Sequence, residues 1–167
     1  KFKPRPRYEA GAYFGLPRQR RNGLEGEQLP QPTLADRECR PLLLDEALGE
    51  GYALIGFAVD PRQSLSAADL QQLAQLNTRY LALYPAGGRP QGKAAASTPA
   101  GLSEWEDMSG ECIRRFREAG YAEGAVAIVR PDRFVFAMAR PGNAPAAVHS
   151  LLEQLGLQAV TRQQEAS

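Results

Sequence analysis

Tyr52-Ala53-Leu54-Ile55-Gly56-Phe57-Ala58-Val59 is almost continuously apolar, and it is bounded by Gly51 on one side and Asp60-Pro61 on the other. A half-buried strand alternates apolar with polar residues; a short unbroken run of this kind is a strand covered on both faces, at the centre of a sheet. Ser66 then N-caps a helix beginning Ala67-Ala68-Asp69, with Leu70, Leu73, Ala74 and Asn77 on one face and Asn77-Thr78 at its end. Arg79 to Tyr84 is the next strand, stopped by Pro85. Strand, helix, strand at this length is a crossover unit, so the two strands are expected to be parallel and the connection right-handed.

Further along, Ser103-Glu104-Trp105-Glu106 reads as a capping box opening a helix. Trp105, Met108, Cys112, Ile113 and Phe116 fall on its apolar face, Arg114, Arg115 and Arg117 point elsewhere, and Gly120 ends it. Ala125–Val129 and Phe134–Met138 flank Arg130-Pro131-Asp132-Arg133, a hairpin signal. A last helix runs from about Ala144 to Leu155, with Gly156 as its cap. Before Tyr52, Thr33-Leu34-Ala35-Asp36 reads as a short edge strand, followed by Arg40–Leu44 and a single helical turn at Asp45–Leu48 closed by Gly49 and Gly51. Residues 85–101, rich in Gly, Ala, Pro and Ser, read as a loop. From Tyr52 the order is strand, helix, strand, helix, strand, strand, helix. This predicts an α/β protein of the thioredoxin-like fold, βαβαββα, with an extra strand or hairpin at residues 33–44. The expected organisation is an extended basic arm over 1–32, a domain over 33–160 and a frayed tail over 161–167.

The 167 residues carry a net charge of +1, which conceals an asymmetry. Residues 1–23 hold Lys1, Lys3, Arg5, Arg7, Arg18, Arg20 and Arg21 against Glu9 alone, a local charge of +6; the remainder carries −5. The arm is rich in Pro and Gly, which favours extended backbone. Its arginines are expected to dock on the acidic surface of a neighbouring domain, in preference to RNA or a membrane. No run approaches the ~18 apolar residues of a membrane span, so a cytoplasmic protein without membrane or nucleic-acid partners is expected. The chain starts at Lys1 without a signal-type segment, which leads to the expectation of a processed product or a piece of something longer.

Chemistry is sparse. A redox protein of this fold keeps a nucleophilic Cys after the first strand, where the helix dipole lowers its pKa. Here that place reads Asp60-Pro61-Arg62-Gln63-Ser64-Leu65-Ser66, without cysteine. Ser64 or Ser66 could bind a thiol, but a helix cap accounts for Ser66. No proline precedes Ala125, where thiol-binding members present a backbone edge. Cys112 reads as a buried structural thiol, and Cys39 as an exposed one without a resolving partner. Gly87–Ala94 matches GxxxxGK, yet Ala94 stands where a P-loop needs Ser or Thr for Mg²⁺, and the run to Pro99 is a poor helix start. Gly49-Glu50-Gly51 precedes a strand and is a turn. His149 is the chain's single histidine, read as solvent-facing or at the core edge. Glu104, Glu106 and Asp107 are expected in a helix's first turns. No catalytic, cofactor-binding or metal-binding residue is therefore assigned.

Four strings resemble, in order, the C-terminal region of FAD-dependent aromatic-ring hydroxylases. They are Lys1-Phe2-Lys3-Pro4-Arg5-Pro6-Arg7-Tyr8, Leu29-Pro30-Gln31-Pro32, Leu42–Gly49 leading into Gly51–Gly56, and Val129-Arg130-Pro131-Asp132-Arg133-Phe134-Val135. Within these the strings resemble the 3-(3-hydroxyphenyl)propionate (3-hydroxycinnamate) hydroxylases of the phenol-hydroxylase group. The resemblance implies a thioredoxin-like domain without redox cysteines, attached to a preceding part that binds FAD, accepts hydride from NAD(P)H and hydroxylates a phenolic ring. No residue here matches that part's fingerprints, so none is carried over. The implied roles are scaffolding: packing on the flavin domain of the same polypeptide, and formation of a homodimer. The competing expectation is an autonomous thioredoxin-like redox or thiol-binding protein using Ser64, Ser66 or Cys39.

Overall fold

A computed structural model of the chain describes residues 24–91 and 98–157. Its centre is the apolar run. Strand β3 (Ala53–Phe57) is buried at every position, with Ala53, Ile55 and Phe57 facing one layer and Leu54 the other. Around it a seven-stranded mixed sheet has the order β2-β1-β5-β4-β3-β6-β7, with β1 at Thr33–Ala35, β2 at Pro41–Leu43, β4 at Arg79–Pro85, β5 at Leu102–Asp107, β6 at Val126–Val129 and β7 at Val135–Ala139. Strands β3 and β4 are parallel, in register Ala53↔Arg79 to Phe57↔Leu83, as a crossover requires. Strand β6 runs antiparallel to β3, and the β6–β7 hairpin closes the core.

Helices cover both faces. On one lie α1 (Leu44–Leu48) and α3 (Glu111–Glu118), contributing Leu44, Leu48, Cys112, Ile113 and Phe116 to a single apolar layer. On the other lie α2 (Ala67–Ala74) and α4 (Ala144–Gln154), contributing Leu73, Val148, Leu151 and Leu152. Strands β4, β3, β6 and β7 with α2, α3 and α4 form the thioredoxin-like core. Strand β5 and the β1–β2 hairpin widen it by three strands.

Two sequence expectations need correction. Ser103–Glu106 is not a capping box: it lies in β5, paired in parallel with β4 over Tyr80↔Leu102 to Pro85↔Asp107. The local S-x-x-E signal lost to the open edge of β4, where Trp105 packs against the α1/α3 layer and Glu104 and Glu106 share the opposite face with Tyr84. Helix α3 therefore begins at Glu111, Met108 is 53% exposed, and Arg115, expected to point away, is 92% buried. Its guanidinium pairs with Glu27 at 2.6 Å and Glu118 at 3.0 Å. Second, Thr33–Ala35 is not the edge. Strand β1 pairs with β5 on one side and β2 on the other, leaving β2, blunted by Pro41, as the free edge.

The opposite edge, by contrast, is covered. Gly26 donates to the Val135 carbonyl, Val135 donates to that of Glu27, and Leu29 donates to that of Arg133, each at 2.9 Å. Leu24 and Leu29, in the stretch expected to form an arm, are fully buried in the α1/α3 layer. The basic residues of 1–23, and the tail from 158, lie outside the described residues.

Candidate functional site

The place where this fold carries chemistry is the turn from β3 into α2. The chain leaves β3 sharply: Ala58 is left-handed at φ 54°, its amide donates to the Leu83 carbonyl, and the Val59 carbonyl turns back over Gly56. Pro61–Ser64 forms a 3₁₀ turn with Asp60 as its N-cap, the carboxylate accepting from the Arg62 amide at 3.0 Å. The Arg62 guanidinium then grips the same carboxylate with two N–H groups, Nε to Oδ1 at 3.0 Å and Nη2 to Oδ2 at 2.8 Å. Its third arm donates to the Ala100 carbonyl at 2.7 Å, and its plane lies 5.6 Å from the centre of the Tyr80 ring. Burial alone would raise the Asp60 carboxyl; the Arg62 hydrogen bonds and charge outweigh it and hold the pKa below the ordinary carboxylate value.

Ser66 behaves as a cap. Its hydroxyl accepts from the Asp69 amide and the Asp69 carboxylate accepts from the Ser66 amide, both at 3.1 Å, a complete capping box at the start of α2. Ser64 closes the 3₁₀ turn. Beside it lies a polar cavity of about 350 Å³, lined by Asp60, Gln63, Tyr84, Glu104 and Arg37 among others. Glu104 is held there by Arg37 at 2.7 Å and by the Thr98 hydroxyl at 3.3 Å. Both carboxylates lining this cavity thus sit in ion pairs, Glu104 with Arg37 and Asp60 with Arg62. The backbone edge before β6 is also occupied: Gly124 donates to the Phe57 carbonyl and Phe57 to that of Ala125, both at 2.8 Å.

The two thiols stand apart from this turn. Cys112 is fully buried, and burial pushes its pKa well above the ordinary thiol value. Cys39 is exposed in the β1–β2 hairpin turn. Of the GxxxxGK string, Gly87 to Gln91 is described. Gly88 donates to the Pro85 carbonyl in a tight turn, and the Arg89 guanidinium is spent on the Ala35 and Asp36 carbonyls; Lys93 and Ala94 lie outside the described residues. Gly49 is the left-handed C-cap of α1, not a phosphate loop. The strand-to-helix turn also does not fit a dinucleotide: a pyrophosphate needs free amides and glycines at a helix N-terminus, and α2 offers a completed capping box behind the Asp60 carboxylate.

Sequence reasoning did not foresee the partner of the single histidine. His149 Nε2 lies 2.6 Å from Asp69 Oδ1, joining α4 to α2 across 80 positions. A capping-box Asp has a second oxygen to share, but no sequence signal names its partner.

Residues 26–154 match the model of the family described as HcaD C-terminal domain. The chain belongs to that family. Similar proteins include two carrying the name 3-(3-hydroxy-phenyl)propionate/3-hydroxycinnamic acid hydroxylase. One, from Klebsiella pneumoniae (strain 342), is 29% identical over 159 residues, covering 94% of this chain and 27% of the relative. The other, from Escherichia coli (strain K12), is 29% identical over 141 residues, covering 84% and 24%. The chain thus spans about a quarter of the length of these relatives. Among solved structures, the flavin-dependent monooxygenase PieE, in complex with FAD and substrate, superposes with TM-score 0.60 at 19% identity, over 91% of this chain and 25% of that one. Peroxidoxin BcpB from Mycobacterium tuberculosis superposes with TM-score 0.54 at 17% identity, over 81% and 99%. The HcaD C-terminal domain therefore shares its fold with thioredoxin-like proteins, and among these relatives it recurs inside hydroxylases about four times its length.

Two of the strings that carry the sequence resemblance meet in space. Arg133, in the hairpin turn, donates to the side chain and carbonyl of Asp45 and to the carbonyl of Gly49, closing the C-terminal end of α1.

Proposed function

We propose that this HcaD C-terminal domain is a non-catalytic accessory and assembly domain of a flavin-dependent aromatic-ring hydroxylase, a monooxygenase that uses FAD and NAD(P)H on a phenolic substrate such as 3-(3-hydroxyphenyl)propionate. The observation that carries this is the family match over residues 26–154 of this chain, taken with the similarity to relatives named as hydroxylases, of which the chain covers 27% and 24%. The β3–α2 turn supports it physically. Arg62 there is committed to Asp60, Ala100 and Tyr80, and Ser66 to a cap, so the turn serves to fix α2 on the sheet. In this reading the flavin and the hydroxylation belong to the preceding part of the polypeptide, and the arm of residues 1–23 connects the two.

The test is twofold. The coding sequence upstream of Lys1 is read for a dinucleotide-binding fingerprint, and its complete product is purified and examined for bound FAD and NAD(P)H-dependent hydroxylation of phenols. Flavin and activity in the complete product, with neither in the 167-residue chain, is the expected result. Stoichiometric flavin on the chain alone, or insulin reduction or peroxide turnover by it, overturns the proposal in favour of an autonomous thioredoxin-like enzyme.

A further inference from the structure

The sheet is covered unequally. On the α1/α3 side its apolar residues form one continuous layer that reaches Leu34, Leu42 and Trp105 in the outer strands. On the other side the apolar layer under α2 and α4 draws on β3, β6 and β7, with Tyr80 of β4 at its margin, and takes in no residue of β5, β1 or β2. The middle of that three-stranded wing is roofed by polar links, Arg89 to the Ala35 and Asp36 carbonyls and Arg37 and Thr98 to Glu104. Its end is open. Thr33 is paired with Leu43, and the Met108 amide donates to the Thr33 carbonyl at 3.2 Å. With the two-residue alternation of strands, this places Leu43, Thr33 and Met108 side by side on the face opposite Leu34 and Asp107.

Leu43 is 48% exposed and Met108 53%; the only other large hydrophobic side chain exposed among the described residues is Leu155, at the end of α4. Met108 also borders a cavity of about 320 Å³ that opens on the α3 side of the sheet, lined by Pro85, Asp107, Ile113, Arg114 and Arg117. Adjacent exposed apolar side chains at the open end of an otherwise polar-roofed wing mark an interaction site.

We infer that the Leu43–Thr33–Met108 face is where the preceding, flavin-binding part of the same polypeptide seats on this domain. The inference rests on the function proposed above. The occupant is chosen from length: in relatives about three-quarters of the chain lies outside the matched region, a body large enough to cover a face of this domain. The described chain begins at the β7 edge, and 23 further residues reach at most about 83 Å, against about 29 Å for the six steps between seven strands, so the far wing is within reach.

Peroxide oxidation of methionine reads the seat directly. Met108 sulfoxide formation, followed by peptide mass spectrometry, is compared between the 167-residue chain and the complete gene product, with the buried Met138 as internal reference. Met108 is expected to oxidise readily in the chain and about tenfold more slowly in the complete product, with Leu43→Glu in the complete product restoring the fast rate. Equal Met108 rates in a complete product that carries flavin overturn this surface while leaving the proposed function standing. A complete product without flavin overturns the proposed function instead. Protection of Met108 that grows with concentration in the chain alone assigns the face to a second copy and overturns the occupant named here. If Leu43→Glu lowers the thermal midpoint, Leu43→Gln is read in its place.

Discussion

The Asp107 carboxylate accepts a hydrogen bond from the Cys112 amide at 2.8 Å, so a fully buried acid at the end of a strand closes the start of the next helix. It also takes the amides of Ile113 at 3.0 Å and Gly110 at 2.9 Å. Three of the donors that a helix N-terminus leaves open are thereby satisfied by one side chain, with the macrodipole in its favour. Asp107→Ala strands those amides and is expected to cost about 2–3 kcal/mol, whereas Asp107→Asn, keeping one acceptor, costs less. Urea denaturation of the two variants against the parent chain measures both. Equal stability for Asp107→Ala would remove Asp107 from this role.

The same contact accounts for the thiol beside it. Cys112 is fully buried, and burial first, then the charge of Asp107, pushes its pKa up. Cys39 is exposed. A thiol reagent is expected to titrate one cysteine in the native chain and the second only after denaturant. The sign of the pH effect follows: a pKa raised in the folded state adds stability below the unfolded thiol value of about 8.5, lost as pH rises towards the folded value. Cys112→Ala leaves a cavity but flattens that alkaline slope. Two equally fast thiols in native protein would refute the burial.

Asp69 gives the opposite limb. Burial would raise it, but hydrogen bonds from Ser66 and the contact with His149 outweigh burial and hold its pKa below the ordinary value. A depressed folded pKa contributes stability above the unfolded value of about 3.9, and that stability is lost as pH falls through the folded value. Asp69→Asn is therefore expected to be less stable at neutral pH and to show a shallower fall in thermal midpoint below about pH 4. A parallel fall in both proteins would show that the pair carries no pH dependence.

Much of this architecture was legible in the chain, for reasons that are themselves physical. The run Ala53–Phe57, the N-cap at Ser66 and the hairpin around Pro131-Asp132 are signals complete within a dozen residues, and each forms where it is read. Strand β5 was not legible because Ser103–Glu106 satisfies a helix rule locally while the edge of β4 supplies six paired positions that no local window sees. The partners Asp69 and His149, or Arg115 and Glu27, are 80 and 88 residues apart, and charge type alone does not choose between many candidates. For the candidate site, the missing cysteine after β3 was plain in the sequence. The commitment of Arg62 to Asp60, Ala100 and Tyr80 needed coordinates.

Gly56 tests how tightly the turn after β3 is set. A Cβ at this position collides with the Val59 carbonyl oxygen, which is backbone and cannot rotate away as a side-chain tip would. Gly56 also pairs with Ala82 on one side and Val126 on the other, so the strand itself is held. Gly56→Ala is expected to cost more than about 2 kcal/mol, well beyond the ordinary price of a single core methyl. Urea denaturation measures it. A neutral effect would mean that the turn through Ala58 and Val59 yields freely.

Arg133 separates a side-chain effect from a backbone one. It sits left-handed at φ 71° in the hairpin turn, a conformation costing a residue with a Cβ about 1 kcal/mol relative to glycine. In exchange, its guanidinium reaches Asp45 and the Gly49 carbonyl, tying the β6–β7 hairpin to α1. Arg133→Ala keeps the strain and loses the tie, so it is expected to destabilise by about 1–3 kcal/mol. Arg133→Gly loses the tie but relieves the strain, and is expected to be about 1 kcal/mol more stable than Arg133→Ala. Hydrogen exchange in α1 should accelerate in both variants, because both free its carbonyl end. If Arg133→Ala matched the parent chain and Arg133→Gly exceeded it, the whole effect would lie in the backbone, and the tie to α1 would contribute nothing to stability.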